Sequence, residues 1–271
     1  MKLKEFPASI LRMLHLRLLR PEILNSVSHS EIPVTVSCTS IPSRLSRLHY
    51  TVRSVLAQSA PPQKMVLWLN HGCKEIVPSS LKKLEGKKFQ IRITDLDSPH
   101  CKLVPGLMCY EEEVIVTCDD DLMYSLDWLI SLYRRHLDMP EAIVAHRVIK
   151  IAYDGDAVRP YIEWKYDRNP EAISPCHIPM GYAGVLYPPG SLFPDVTNSE
   201  LYLDLCPKAD DLWFKAMSLL NGTECVVTKD ETMVMYPIPG TQKISLKHAN
   251  IKLDQNREQW QALEAYYHVR C

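Results

Sequence analysis

Long apolar runs are missing from this chain of 271 residues. No stretch approaches the ~20 consecutive apolar residues that a membrane-spanning helix needs. A surplus of either charge is missing too: 31 Lys and Arg face 32 Asp and Glu, for a formal net charge of −1. That balance gives no global pull towards nucleic acid or anionic surfaces, and no nucleic-acid partner is expected. The nine cysteines form no Cys-x-x-Cys pair and keep no regular spacing. They read as buried, reduced thiols of a cytosolic protein rather than a disulfide framework. In that compartment the sequon-like Asn221-Gly222-Thr223 carries no meaning. Repeats and low-complexity tracts are absent, so one large α/β domain with appendages is expected.

What is present begins with a basic N-terminus. Residues 1–20 carry Lys2, Lys4, Arg12, Arg17 and Arg20 against Glu5 alone. Phe6, Ile10, Leu14 and Leu18 recur every four residues, as on one helix face. A helix packed on its own domain and an interfacial helix on an anionic membrane both fit residues 1–24, and the first is preferred. Charges interrupt the apolar region and no small-residue cleavage site follows, so a cleaved signal peptide is not expected.

Beyond residue 30, short β-branched runs alternate with helical patterns. Strands are expected at residues 34–38, 65–69, 89–93, 114–118, 142–145 and 225–228, and helices to about Leu56, at 210–220 and at 256–267. Leu126, Leu129, Ile130, Tyr133 and Leu137 mark a further helix face. Strands alternating with helices imply parallel pairing and right-handed crossovers.

The most informative feature is Asp119-Asp120-Asp121, placed directly after the apolar run Val114-Ile115-Val116-Thr117-Cys118. Carboxylates in that position emerge at the carboxyl edge of a sheet, where open α/β folds place their ligands. Hard oxygen ligands suit Mg²⁺ or Mn²⁺. An acidic cluster can also be a solvated turn or a helix cap. Here Ser125 or Asp127 can cap the next helix, so the triplet is not needed for that task.

Four further segments accompany the triplet: Thr39-Ser40-Ile41-Pro42-Ser43-Arg44, Lys102-Leu103-Val104-Pro105, the stretch Gly184-Val185-Leu186-Tyr187-Pro188-Pro189-Gly190-Ser191, and Asp210-Asp211-Leu212-Trp213 after Cys206-Pro207. In this order they resemble the GT-A glycosyltransferases, specifically a family 2-like group of bacterial type, over residues 32–268. The resemblance implies an α/β GT-A (nucleotide-diphospho-sugar transferase) fold, with a mostly parallel central sheet flanked by helices. After the N-terminal basic amphipathic extension at 1–30, it implies a domain at 31–271. The nucleotide half spans about 31–150 and the acceptor half about 151–271.

It also implies a hexosyltransferase-like enzyme with a nucleotide-sugar donor, UDP-linked on family grounds, and Mn²⁺ or Mg²⁺. The acceptor would be a glycan or a lipid-linked sugar in surface polysaccharide synthesis, on the cytosolic, inner face of a membrane. On this resemblance Asp121 is the first choice for metal contact. Asp119 would face ribose or reach the metal through water, with Asp120 between them. Thr39, Ser40 and Arg44 fall where the base and ribose bind, with Asn70 a weaker candidate for that pocket. Lys102 would approach the diphosphate, and His248 would supply a late metal or phosphate ligand. Asp211 would be the general base of an inverting displacement, with Asp210 as runner-up. The Pro188-Pro189-Gly190-Ser191 turn would frame the donor sugar. Trp164, Tyr182 and Trp213 would offer stacking faces, though core packing is the better reading of Trp164.

Several of these residues have plainer roles available. Asp210 or Asp211 can stabilise a helix start, Arg44 can be an exposed cation, and a lone histidine is more often structural. A sugar nucleotidyltransferase would be expected to carry a glycine-rich loop after the first strand to cradle a triphosphate. Here that place holds Ser40-Ile41-Pro42-Ser43. A non-catalytic sugar-binding protein is the alternative of a different class.

Overall fold

The computed structural model describes residues 6–26, 30–230, 233–241 and 254–271. The first half runs α1 (Phe6–Leu18), α2 (Pro21–Leu24), β1 (Ile32–Thr39), α3 (Leu45–Leu56), β2 (Pro62–Asn70), α4 (Ser79–Lys82) and β3 (Phe89–Thr94). It continues with α5 (Val104–Cys109), β4 (Val114–Thr117), β5 (Leu122–Tyr124), α6 (Trp128–Asp138) and β6 (Ile143–Ala145). Short strands follow: β7 (Val148–Lys150), β8 (Tyr153–Asp154), β9 (Ala157–Val158), β10 (Lys165–Asp167), β11 (His177–Pro179) and β12 (Val185–Tyr187). The chain closes with α7 (Ser199–Leu205), α8 (Asp210–Leu220), β13 (Cys225–Val227), β14 (Met235–Pro237) and α9 (Gln255–Tyr267).

Seven strands form the central sheet in the order β13-β6-β12-β4-β1-β2-β3. All neighbours pair in parallel except β12, which runs antiparallel to both β4 and β6. The α/β class and the mostly parallel sheet flanked by helices are thus as expected. The triplet-bearing β4 lies in the middle of the sheet.

Side chains of successive strand residues enter opposite cores, as the period of two requires. Val116, Val144, Leu186 and Val226 pack on the face covered by α3 and α6. Ile115, Ile143, Ala145, Val185, Tyr187, Cys225 and Val227 pack on the other face with α8 and α9. In α3 the buried residues Leu45, Leu48, Val52, Val55 and Leu56 follow helical spacing. Each such burial contributes roughly 1.5–3 kcal/mol. These two cores hold the sheet's carboxyl edge in place.

Three expectations need correction. Leu126 and Leu137 do not face the core; they are 51% and 63% exposed. The helix begins only at Trp128, and its buried residues are Trp128, Leu129, Leu132 and Arg135. The Pro188-Pro189-Gly190-Ser191 turn does not sit beside the triplet. Because β12 is reversed, with Val185 opposite Thr117 and Tyr187 opposite Ile115, the chain leaves it at the amino edge of β4. There the turn lines a polar groove of about 840 Å³ together with Asp138, Glu141, Asn221 and Glu224. The cysteines, finally, are not all thiols. Cys176 and Cys271 form a disulfide across 95 positions, tying the C-terminus to the segment before β11, while the other seven are free.

Residues 6–26 pack on the domain rather than extending from it. Leu24 joins the core under α3, and Leu16 is fully buried against Met123 and Ile238.

Candidate active site

Six parallel strands end at one edge of the sheet, and β12 begins there. That edge therefore gathers the ends of β1 (Thr39), β2 (Asn70), β4 (followed by Asp119) and β6 (followed by His146), together with the Gly181–Ala183 turn before β12. The start of α8 lies over the same edge, which brings Asp210 and Asp211 to the triplet. Residues far apart in sequence meet because their strands are parallel.

Two knots of charge occupy this edge. In the first, Arg44 Nη1 donates to Asp120 Oδ1 at 2.5 Å and Ser40 Oγ donates to Asp120 Oδ2 at 2.5 Å. Thr51 Oγ1 bonds the backbone carbonyls of Asp120 and Leu122 at 3.1 and 2.8 Å. Arg44 Nη2 also lies 3.6 Å from Asp121 Oδ2. Asp120 is thereby turned inwards and buried. Burial raises its pKa, opposed by Arg44 and Ser40. Burial works against the Arg44 charge, but Asp120 and Asp121 outweigh it and raise the Arg44 pKa.

The second knot centres on Lys102. Its ammonium lies 2.6 Å from Asp210 Oδ2, 3.3 Å from Asp211 Oδ1 and 3.4 Å from Asp119 Oδ1, with the lysine side chain only 8% exposed. Burial disfavours that cation, yet the three carboxylates overcome it and hold its pKa well above the ordinary lysine value. The aspartates move upwards. Burial, only partly offset by Lys102, pushes Asp210 to about 7 and raises Asp211 in the same way. Asp211 also accepts from the Gly181 backbone N–H, at 3.2 Å to each oxygen.

The turn at 181–184 admits no larger residues at two places. A Cβ on Gly181 would collide with Lys102 Nζ and Asp211 Oδ1. Gly184 has φ +104° with the Trp128 ring where a Cβ would stand, a region open to glycine alone. Trp128 Nε1 fastens this turn by donating to Ala183 O at 2.7 Å. Tyr124 joins it to the triplet: its Oη accepts from Asp119 N–H at 2.9 Å and donates to Tyr182 O at 3.1 Å.

The donor chemistry fits the divalent ion that the resemblance implies. Asp119 and Asp121, alternate residues of the triplet, have side chains 33% and 13% exposed. The five aspartates exceed Lys102 and Arg44 by three charges, or by two while Asp210 keeps its proton. Among the described residues no group of three or more His, Cys, Asp or Glu converges on one ion position. Mg²⁺ needs no such group, since one or two carboxylates, substrate phosphates and water commonly hold it.

The structure thus gathers Ser40, Arg44, Lys102, Asp119, Asp120, Asp121, Asp210 and Asp211 in one network. Thr39 lies at its margin, with Oγ1 bonded to Trp68 O at 2.9 Å. Asn70 caps the next turn by accepting from Gly72 N–H at 2.9 Å. His248 lies outside the described residues. Trp213 and Trp164 offer no stacking face. Both are buried, with Nε1 donating to Val196 O and Arg159 O. Tyr182 alone of the three aromatics stays accessible, its hydroxyl joined to Arg147 at 3.2 Å and to Tyr166 at 3.3 Å. Sequence reasoning missed Arg147, Tyr166, Thr51 and Tyr124; nothing in their local pattern marks them.

No protein-family model matches the chain, and no curated protein matches it. Among solved structures it is similar to S. aureus TarS 1-349 in complex with UDP, with 13% identity, TM-score 0.49 and coverage of 74% of this chain and 59% of that one. It is also similar to the inositol-1-phosphate CTP transferase from T. maritima, with 9% identity, TM-score 0.46 and coverage of 89% and 98%. A third is 4-diphosphocytidyl-2C-methyl-D-erythritol synthase from Anaerococcus prevotii, with 15% identity, TM-score 0.37 and coverage of 51% and 67%. These likenesses are distant.

Proposed function

We propose that this chain has the GT-A fold and is a metal-dependent glycosyltransferase, moving a sugar from a nucleotide-sugar to a hydroxyl of a glycan or lipid-linked acceptor. One observation carries the reading. Asp119, from the triplet, and Asp211, from the start of α8, lie within 3.4 Å of a single buried ammonium, so a donor-side and an acceptor-side carboxylate share one site.

Asp119 and Asp121 would hold Mg²⁺ or Mn²⁺ together with the donor diphosphate. When bound, the ion supplies positive charge against the negative charge that grows on the leaving diphosphate. Arg44 and Ser40 hold the triplet's middle carboxylate inwards, with Asp119 beside Lys102 and Asp121 beside Arg44. Lys102 keeps Asp119 and Asp211 at a fixed separation. Asp211, ionised and steered by the Gly181 N–H, takes the proton from the acceptor hydroxyl. The hydroxyl oxygen bonds to the anomeric carbon as the carbon–oxygen bond to the diphosphate breaks, and that electron pair leaves with the diphosphate. The displacement is direct and inverts configuration. Surface polysaccharide synthesis at a membrane is the setting that suits this chemistry.

Nucleotidyl transfer is less well supported. The segment after β1 forms a 3-10 turn at Pro42–Arg44 without glycine, and Arg44 is committed to Asp120 rather than to a phosphate cradle. Calorimetric titration with a panel of nucleoside diphosphates, UDP first, with and without Mn²⁺, tests the proposal. At least one nucleotide should bind more tightly with the metal. Equal binding in both conditions across the panel would refute it.

A further inference from the structure

We propose that the outward face of α1 docks on an anionic lipid surface. The helix is apolar on two sides. Residues advance about 100° per position around a helix, so Ser9 and Leu16 lie on the side opposite Leu11, Leu14 and Leu18. The first side is the packed one: Leu16 is fully buried, with Met13 and Leu19 in the same cluster. Its orientation is fixed at the middle of the helix and at its C-terminal end. Arg12 Nη2 donates to Tyr124 O at 3.0 Å. Arg53 Nη1 donates to Leu16 O and Leu19 O at 3.1 and 2.6 Å, satisfying carbonyls at the helix C-terminus.

The other side faces solvent. Leu11, Leu14 and Leu18 are 68%, 54% and 82% exposed, and Ile23 continues the stripe at 61%. Of the four-residue stripe noted in the sequence, Phe6, Leu14 and Leu18 are exposed and Ile10 is half-buried. Single exposed leucines are unremarkable, but three on one helix face with a fourth apolar residue beyond mark an interaction surface. Arg17, in the last turn of α1, and Arg20, just beyond its end, are exposed and without an ion pair among the described residues. Lys2 and Lys4 precede it in the sequence, and Glu5 and Glu22 are the acidic residues of positions 1–24.

That charge decides the occupant. A second copy packed through the same patch would set one positively charged rim against another. An anionic bilayer accepts leucines between its headgroups and attracts the cations at the rim. At 13 residues α1 is too short to span a bilayer, so it lies in the interface.

The test needs no substrate and is independent of the proposed reaction. The full chain is sedimented with phosphatidylglycerol–phosphatidylcholine vesicles and with phosphatidylcholine alone. Combined Leu11→Ser, Leu14→Ser and Leu18→Ser substitutions form one variant, Arg17→Glu with Arg20→Glu a second, and circular dichroism checks that each folds. The parent chain should pellet with the anionic vesicles, the serine variant should lose that binding, and the charge variant should weaken it about tenfold or more. A parent chain left in the supernatant, or a serine variant that pellets equally, overturns the proposal. So does a dimer, measured by light scattering, that the serine variant dissolves.

Discussion

Two cations at one sheet edge are held in opposite ways. Arg44 faces the buried Asp120, which Ser40 also holds, and Thr51 pins the backbone carbonyls of Asp120 and Leu122. Lys102 faces three carboxylates that share one ammonium, and two of them belong to a different half of the chain. The first arrangement is closed and serves to aim the strand end. The second is over-supplied with negative charge and holds a proton near neutrality. The difference suggests where framework ends and chemistry begins.

Removing each cation should separate the two. Lys102→Met leaves three carboxylates together in a buried place, and loss of one partner from a buried ion pair costs about 3–5 kcal/mol. Urea unfolding should show that loss, and the metal-dependent gain in nucleotide affinity should change with it. Asp120→Asn keeps an acceptor for Arg44 and should cost less, about 1–3 kcal/mol, with nucleotide binding retained. Equal losses in both variants would remove the distinction.

A further expected effect is in pH. Folding raises the Asp210 pKa from 3.8 to about 7, so between those values the folded chain keeps a proton that the unfolded chain has released. Stability should therefore fall as pH rises across that window and level off above it. Asp210→Asn should flatten that slope, as measured by denaturant midpoints along a pH series. Asp120, also raised by burial, contributes to the fall in the same direction, so Asp120→Asn should remove its own share of the slope.

Much of this edge was legible in the sequence. The apolar runs that precede Thr39, Asn70 and Asp119 lie in core strands, so their ends had to meet where a parallel sheet ends. The adjacent Asp210 and Asp211 exceeded what a helix start requires, and both join Lys102. What was not legible depends on tertiary direction. A single reversed strand, β12, sends the Pro188–Pro189 turn to the far edge, and no local pattern reveals the reversal. Triplet spacing does not show that Asp120 turns inwards, because Ser40, Arg44 and Thr51 come from other elements. The pairing of Cys176 with Cys271 follows from where α9 docks, and α1 shows periodicity on two faces without showing which one packs. Leu126 and Leu137 matched the helical period, but the helix starts after the first and its last turn emerges from the core at the second.

The claim that one knot performs chemistry while its neighbourhood binds the nucleotide is tested most directly with Asp211→Asn. Nucleoside diphosphate affinity in the presence of Mn²⁺ and consumption of the nucleotide-sugar are measured on the same sample. Affinity should stay within about threefold, while turnover should fall about 10²–10⁴-fold, the range supplied by a positioned general base. Turnover that survives the substitution would contradict the account.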